Sequence, residues 1–456
     1  MIRCPNCTAQ LEFDAQLQQV TCGYCGSTFN PDELDISLKK AKETEETETF
    51  EGKSYACSQC GATLLTFDET AITFCSYCGS QAMIESQLIK KANPQFIIPF
   101  KKTKEQCIEA YKKKLSNSFF APKYMKDDVV VDKFRGIYIP YCIYKLGYHG
   151  RFDSEGSRYS HRIGDYVYYN DYEVTANIDA EYDGVSYDML SNLYDDFSHS
   201  IPHDFKEAEP FNPNYLAGYY ADIGDVSDQI YEDNAMDVAS NDSTNHLLKV
   251  KEFRKYGCAN PRVPFLVAEK KTGMFPLYFL AIRDKTDKNV HYAIVNGQTG
   301  KVAVDLPVDF KKYIIVSLIL AIPIFLLINT ALVITPQTIC IFSIVAAVIS
   351  MIISIVQLNK LKKRESHADD EGYMYKVRMV KYENFKFKYI VKQLLGIGIG
   401  LFVMFSNTVN DEYYYGAAIA ILCLVILSFY DLVKEHNLLT SNKLPQLEKR
   451  GGSENE

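Results

Sequence analysis

Residues 4–25 read CPNCTAQLEFDAQLQQVTCGYC, and residues 57–78 read CSQCGATLLTFDETAITFCSYC. Each stretch contains two C-x-x-C pairs, with fourteen residues between the pairs. Beyond the cysteines, further positions are identical at the same offset: Ala9/Ala62, Leu11/Leu64, Tyr24/Tyr77, Gly26/Gly79 and Ser27/Ser80. This agreement predicts an internal repeat, in which one small unit occurs twice.

The spacing of the cysteines indicates metal binding. Two residues between thiolates let one tight turn aim both sulfurs at a single tetrahedral ion. We therefore predict two zinc ions with these ligands: Cys4, Cys7, Cys22 and Cys25 for the first, and Cys57, Cys60, Cys75 and Cys78 for the second. Four thiolates leave no open coordination position, so both ions are expected to be structural. Iron in a rubredoxin-like site and a redox dithiol role are the alternatives.

The residue after the second cysteine of each pair lies where backbone amides approach the sulfurs. Glycine occupies this position in three of the four pairs, and it adopts the positive φ of such a turn at little cost. Thr8 takes the position in the first pair, so we expect slight strain there. Apolar and polar residues alternate between the pairs, which predicts a short β-hairpin in each unit.

Charge and cysteine usage restrict the class of protein. The chain has 456 residues and a formal net charge of -8, which argues mildly against a nucleic-acid-binding surface. The first C-x-x-C pair follows Met1 almost at once, with no apolar segment typical of a signal peptide. The other five cysteines are scattered singly. We therefore expect reduced thiols and a cytosolic N-terminal part.

The middle of the chain is acidic and rich in tyrosine. Residues 147–248 contain 21 Asp and Glu against four Arg and Lys, a net charge of -17, which we interpret as the solvated surface of a β-rich domain. Thr103 to Gln106 resembles a capping box, and runs such as 129–131 and 137–140 are predicted strands. Gly297 to Gly300 is predicted to be a hairpin turn. A phosphate-binding loop is excluded there, because the segment does not satisfy the P-loop pattern.

The sequence contains no recognisable catalytic motif. His199 and His203 are four residues apart, but Pro202 between them is incompatible with a zincin helix. GxSxG and Walker motifs are absent as well. We predict that the protein is not an enzyme, and an enzyme of unrecognised type in residues 93–308 stays open as an alternative.

The last third of the chain is very apolar. Four stretches are predicted to cross a membrane, which takes about 20 residues each: 313–335, 338–358, 389–409 and 416–433. The 359–388 loop between the second and third holds nine Lys and Arg. The positive-inside rule therefore predicts a multi-pass protein of the cell membrane, with the N-terminus and C-terminus in the cytoplasm.

The predicted fold class is multidomain: two small β zinc ribbons, an α+β and β-rich cytosolic domain, and an all-α four-helix transmembrane region. The predicted boundaries are 1–37 for the first ribbon, 38–54 for a charged linker, 55–92 for the second ribbon, 93–308 for the cytosolic domain, 309–436 for the transmembrane domain and 437–456 for a cytosolic tail.

Several segments resemble a bacterial family over nearly the whole chain. They are the ribbons, IIPFKKTKEQ (97–106), FFAPKY (119–124), GIYIPYCIY (136–144), PFNPNYLAGYYAD (210–222) and NGQTGKVAVDLP (296–307). The family is that of the transcription-factor-IIB-type zinc-ribbon membrane proteins, often labelled primosomal helicase-like, with relatives linked to phage-shock and SPFH membrane-stress systems. The resemblance implies zinc at the eight cysteines. This chain has no ATP-binding motif for a helicase.

These observations predict a membrane-anchored adaptor or scaffold that recruits cytosolic proteins to the inner membrane face, in line with a membrane-stress response. Its expected partners are membrane lipid and cytosolic proteins, with no small-molecule substrate assigned. A membrane-tethered nucleic-acid-binding protein is the alternative. It is weakened because the first ribbon has Arg3 as its one basic residue before Lys39, and phosphate contacts dominate such binding.

Overall fold

The computed structural model describes residues 3–34, 49–58, 62–66, 75–77, 80–81, 83–190, 193, 195–224, 226–258, 261–283, 289–317, 319, 335–366, 390–406, 409–439 and 442–443. The strands are β1 Leu11–Asp14, β2 Gln19–Cys22, β3 Thr28–Phe29, β4 Thr49–Cys57, β5 Thr63–Thr66, β6 Met83–Ala92, β7 Phe96–Ile97, β8 Arg135–Ile163, β9 Tyr166–Asp188, β10 Glu209–Pro210, β11 Tyr220–Asp222, β12 Leu266–Arg283, β13 Asn289–Asn296, β14 Val302–Val304 and β15 Asn442–Lys443. The longer helices are α1 Lys104–Ser116, α2 Asp128–Val131, α3 Asp195–Ser200, α4 Glu232–Leu247, α5 Lys251–Lys255, α6 Pro336–Ser366, α7 Ile390–Phe405 and α8 Asp411–Leu439.

The first ribbon is a three-stranded antiparallel sheet in the order β1-β2-β3. Leu11 pairs with Cys22 and Asp14 with Gln19, which gives the short hairpin predicted between the cysteine pairs. The ribbon is not free of the rest of the protein. Phe13 lies edge-on to Tyr215 at 5.2 Å, and the Phe13 backbone N–H donates to the Ala217 carbonyl over 3.0 Å.

A large sheet, twelve-stranded in the described residues, forms the centre of the protein. Its main path runs β10-β7-β12-β8-β11-β5-β4-β6, and β9 pairs with β8 while β13 pairs with β12. The antiparallel strands β8 and β12 are paired from Arg135, which lies opposite Phe279, to Gly147, which lies opposite Leu266. One irregularity occurs near Val267. β8 also pairs with β9 and, in parallel, with β11, so it is the strand on which the sheet is assembled.

The second ribbon is not a separate small unit, which corrects the predicted fold class. Its strands β4, β5 and β6 join the large sheet because β11 pairs with β5 on one side and β8 on the other. Tyr77 shows the consequence: it is fully buried, 5.1 Å from Phe279, and its hydroxyl donates to Asp222 over 2.5 Å. The matching Tyr24 of the first ribbon is 85 % exposed. β4 also begins at Thr49, inside the predicted linker.

Most local predictions for the β-rich domain are confirmed. Thr103 and Gln106 form the capping box of α1, and Gly300 adopts a φ of 73° in the turn between β13 and β14. The run 137–140 lies in β8. The run 129–131 was predicted to be a strand and is wrong, because these valines lie in the short helix α2, which packs against α1 through Val131.

The predicted four-helix transmembrane region is also wrong. Two helices in the described residues are long and apolar enough to cross a membrane, at Pro336–Gln357 and Asp411–Lys434. The predicted span 389–409 contains α7, which falls short of the roughly 20 residues that a crossing takes. Most of the predicted span 313–335 lies outside the described residues.

The apolar helices α6, α7 and α8 pack against one another. Gly400 of α7 lies where α6 comes close: a Cβ there would be 2.5 Å from Ile344 and 2.9 Å from Ile421. The buried Gln393 side chain donates to Ser354 over 3.2 Å and to Ser428, which ties the three helices together. Such small residues and interhelical amide bonds are typical of helices that associate in lipid.

Replacing Gly400 by alanine tests this packing. The added methyl group has no room beside Ile344 and Ile421, so we expect a loss of about 1–3 kcal/mol, as in other overpacked cores. Gly398→Ala is the matched control, because a Cβ at Gly398 meets nothing within 4 Å. Thermal unfolding of the detergent-solubilised protein measures both. Equal midpoints for the two variants would contradict close packing at Gly400.

Candidate metal centre

Four cysteines of the first ribbon converge on one point. The ligand atoms of Cys4, Cys7, Cys22 and Cys25 all lie within 4.8 Å of one another. Cys4 Sγ is 3.6 Å from Cys25 Sγ, and Cys7 Sγ is 3.4 Å from Cys22 Sγ. A tetrahedral ion with metal–sulfur bonds of about 2.3 Å requires sulfurs about 3.8 Å apart. The cluster can therefore hold a metal ion.

The two turns that carry these thiols have the same backbone geometry. The Cys4 N–H donates to the Ala9 carbonyl over 2.8 Å, and the Thr8 N–H donates to the Cys4 carbonyl over 2.8 Å. In the second turn, Gly26 donates to the Cys22 carbonyl over 2.9 Å. Thr8 has a φ of 60°, so a β-branched residue occupies the left-handed position that was predicted to be strained.

The surroundings of the four thiols favour the ionised thiolate at one of them, Cys25. Hydrogen bonds with the Ser27 hydroxyl and with its backbone N–H lower the pKa of Cys25 to about 6. For Cys7, the Ala9 N–H lowers the pKa, but burial and the three neighbouring thiols outweigh it and raise the pKa to about 12. Four thiols this close cannot all ionise unless a cation compensates their charge, which is what a metal ion does.

The ribbon places this cluster against the main core of the protein. Cys4, Cys22, Leu11 and Val20 are buried and belong to the same apolar cluster as the side chains of α1 and β12. The Gln18 side chain also donates to the Phe100 carbonyl over 2.7 Å. A metal ion held here would therefore stabilise a part of the domain core, as well as the ribbon itself.

The second predicted set lies partly outside the described residues, because Cys60 and Cys78 are not among them. Cys57 and Cys75 are buried. Their backbone N–H groups donate to Ala62 over 2.8 Å and to Ser80 over 2.7 Å. These bonds are equivalent to those that Cys4 and Cys22 make in the first ribbon.

The long hairpin of β8 and β9 was not predicted from the sequence. Its two strands are paired from Tyr141, opposite Asp188, to Ile163, opposite Tyr166. Gly164, with a φ of 60°, begins the two-residue turn that joins them. β12 ends its pairing with β8 at Gly147, so the hairpin continues beyond it for about 50 Å at 3.3 Å per residue. The alternation of residue types predicts strands but not how far two strands project together. The acidic composition was interpreted as the solvated surface of a β-rich domain, so this arm was not predicted.

We call residues 158–169 the hairpin tip. α5 and the residues after it support the hairpin up to this point: the Ser157 N–H donates to the Gly257 carbonyl over 3.4 Å, and Arg158 donates to Lys255 over 3.4 Å. Beyond them, apolar side chains are exposed on the tip: Tyr159, Ile163, Tyr166, Val167, Tyr168 and Tyr169. Monomeric proteins rarely concentrate apolar residues on the surface in this way unless something binds there.

Comparison with known proteins gives little functional information. The chain is 26 % identical to a Bacillus subtilis (strain 168) protein, "Uncharacterized protein YdjG", over 319 residues, which covers 68 % of this chain and 91 % of that protein. No protein-family model matches the chain. No solved structure matches it either.

Replacing Cys22 by serine tests the metal centre. The variant removes a buried ligand, so we expect it to lose the ion of the first cluster and to unfold at a lower temperature. Cys423→Ser is the control, since Cys423 is an exposed thiol in α8. Elemental analysis and thermal unfolding of the purified full chain report both effects. Unchanged metal content in Cys22→Ser would contradict a metal at this cluster.

Proposed function

We propose that this protein is a membrane-anchored zinc-ribbon adaptor, which recruits cytosolic proteins to the inner face of the cell membrane. The observation that carries the proposal is the hairpin tip, an exposed apolar surface at the end of a supported arm. The ribbons are the other candidate for the recruiting surface. The first ribbon is packed into the domain core, so the tip is the better docking surface.

Zinc is the metal that we propose for both cysteine sets. The convergence of four thiols at near-tetrahedral spacing supports a closed structural site, for which zinc is the usual ion. The equivalent bonds at Cys57 and Cys75 support a second site and the proposed repeat. When bound, zinc supplies charge compensation and a fixed tetrahedral junction. The chain's own residues do the rest: Ser27 stabilises the Cys25 thiolate, and Phe13 fixes the ribbon to the core.

We also propose that the β-rich domain and both termini lie on the cytosolic side of the membrane. β15, which follows α8, pairs with β13 of the domain at Asn289 and Val290. The Asn437 side chain bonds the Val308 backbone twice, over 2.7 and 2.9 Å. These contacts support a domain held directly against the helix ends, on the side where α8 ends. The reducing cytosol suits its free thiols.

The hairpin tip is distinct from its surroundings in charge. It carries Arg158 and Arg162 against Asp165, a net charge of +1, within a region whose net charge is -17. Tyrosine and arginine are the side chains that interfaces favour, while carboxylates are depleted there. By the family resemblance, we propose membrane-stress scaffold proteins of the phage-shock and SPFH types as the partners.

Alkaline phosphatase fusions test the orientation. The phosphatase needs disulfides, so a C-terminal fusion is expected to be inactive if the C-terminus is cytosolic. The same phosphatase inserted after Asn410, which directly precedes α8, is expected to be active because that end lies across the membrane. Immunoblotting checks that both fusions accumulate. An active C-terminal fusion would place the C-terminus outside the cytosol and contradict this proposal.

Co-purification tests the docking surface. The double variant Tyr166→Ser, Tyr169→Ser removes exposed rings from the tip, so we expect at least a tenfold loss of the proteins recovered from gently solubilised membranes. Tyr24→Ser is the matched control, because it removes an exposed tyrosine from the first ribbon. Nuclease treatment of the sample separates protein partners from nucleic-acid bridging.

The outcomes of this experiment differ between the hypotheses. Loss of partners in Tyr24→Ser alone would return recruitment to the ribbon. Loss on nuclease treatment would favour the nucleic-acid alternative. An equal recovery from wild type and both variants would refute docking through the tip.

A further inference from the structure

The chain between the middle of α1 and the start of α2 is strongly basic, and we call residues 110–126 the basic segment. It reads AYKKKLSNSFFAPKYMK and contains five lysines without one Asp or Glu, a net charge of +5 in a chain whose net charge is -8. Lys112 forms an ion pair with Asp128. The other four lysines are exposed and have no ion pair among the residues that the structure describes: Lys113, Lys114, Lys123 and Lys126.

The basic segment folds back on itself, so its lysines lie on two neighbouring elements. The buried Tyr111 of α1 donates its hydroxyl hydrogen to the Met125 carbonyl over 3.0 Å. Residues 123–126 form a 3₁₀ turn, and its buried Met125 belongs to the same apolar cluster as Leu115 of α1. The last turn of α1 and the 3₁₀ turn therefore lie side by side, and their lysines form one positive patch on a rigid support.

An exposed aromatic ring lies between these two elements. Phe119 is 66 % exposed, and its ring lies edge-on to that of Phe120 at 5.4 Å. The Phe120 ring in turn lies 5.7 Å from the ring of Tyr313. Aromatic rings beside lysines are the composition of segments that lie in the headgroup region of a bilayer.

Two hydrogen bonds fix this part of the basic segment to the entrance of the apolar region. The Asp309 N–H donates to the Phe120 carbonyl over 2.8 Å, and the Lys312 side chain donates to the Ala121 carbonyl over 2.5 Å. Tyr313 follows directly and begins the first of the predicted spans. In a membrane-anchored chain, the entrance to the first span is the level of the lipid headgroups, so Phe119 is held at that level.

We propose that the basic segment is a second membrane contact of the β-rich domain, at which the four unpaired lysines bind the headgroups of anionic phospholipids and Phe119 inserts between them. This inference rests on the membrane anchoring proposed above and adds a lipid class to it. Charge complementarity decides the occupant, because lysines without carboxylate partners attract a negatively charged bilayer surface, whereas zwitterionic lipid carries no net charge. The aromatic ring adds apolar contact to the electrostatic attraction.

Tryptophan fluorescence tests the contact, because the chain contains no tryptophan of its own. Phe119→Trp and Phe402→Trp each place one indole in the full chain, which is reconstituted into phosphatidylcholine vesicles. Phe402 is 74 % exposed in α7, so the second variant reports whether the apolar helices are in lipid. Phospholipids brominated on the acyl chain near the glycerol quench an indole that is in contact with the bilayer. We expect quenching in both variants.

The lipid class is tested in Phe119→Trp with brominated phosphatidylglycerol against brominated phosphatidylcholine, each at the same low mole fraction. We expect the anionic lipid to quench about twofold more or better, because the lysines concentrate it beside the indole. Added salt of about 0.5 M should reduce this preference by screening, with no change in the protein.

Charge variants in the Phe119→Trp background assign the preference to the patch. Lys114→Gln, Lys123→Gln, Lys126→Gln together should bring the quenching ratio of the two lipids close to one. The matched control is Lys249→Gln, Lys251→Gln, Lys255→Gln, which removes three exposed lysines at and beside α5 and should keep the preference. Thermal unfolding checks that both triple variants are folded, and the salt response stands in for a variant that is not.

The outcomes separate this contact from the membrane anchor itself. Quenching in Phe402→Trp without quenching in Phe119→Trp would refute the contact and leave the anchor in place. No quenching in either variant would refute the anchor, and this inference with it. Equal quenching of Phe119→Trp by the two lipids, or a preference that the folded patch variant retains, would refute binding of anionic headgroups.

Discussion

The pairing of β8 with its neighbours is the interaction on which the rest of the structure depends. β8 pairs with β12 over its first half, with β9 from Tyr141 to its end, and with β11 near its start. Through β11 it holds the strands of the second ribbon, and through β12 it holds β13, on which the chain after α8 is paired. One 29-residue strand thus connects the cysteine-rich N-terminus, the projecting hairpin and the apolar helices.

The two cysteine-rich segments are joined to the rest of the protein in different ways. The first is joined to the domain by side-chain packing around Phe13 and a backbone hydrogen bond from Phe13 to Ala217, and it contains a complete cysteine cluster. The second is joined by backbone hydrogen bonds, so its strands are part of the sheet. Tyr24 and Tyr77 match in sequence between the two cysteine-rich segments, yet one is in solvent and the other is buried against Phe279. Tyr77 is buried in the segment whose strands pair with the large sheet, and Tyr24 is exposed in the ribbon that packs through Phe13.

The apolar helices and the domain are coupled in a similar way. Lys312 donates to the Ala121 carbonyl over 2.5 Å, and Phe120 lies 5.7 Å from Tyr313 at the entrance to the apolar region. At the other end, Asn437 bonds Val308. The domain is therefore connected to the helices at both of their domain-side ends, which limits its reorientation and gives the hairpin a defined direction. β8 is 29 residues long, which corresponds to about 90 Å at 3.3 Å per residue.

The sequence by itself determined the local features whose chemistry is complete within a few residues. The C-x-x-C turns of the first ribbon, the capping box at Thr103 and the turn ending at Gly300 all follow from short-range sterics and hydrogen bonding, and the structure has each of them. Only the tertiary structure decided which strands pair, that the second ribbon joins the large sheet, and that Asn296 and Gln298 hold the loop that carries His203. It also limited the candidate membrane crossings, since hydropathy records apolar composition and not where a helix ends. Strand pairing and the fixing of this loop depend on contacts between residues far apart in the chain, and local composition does not encode them.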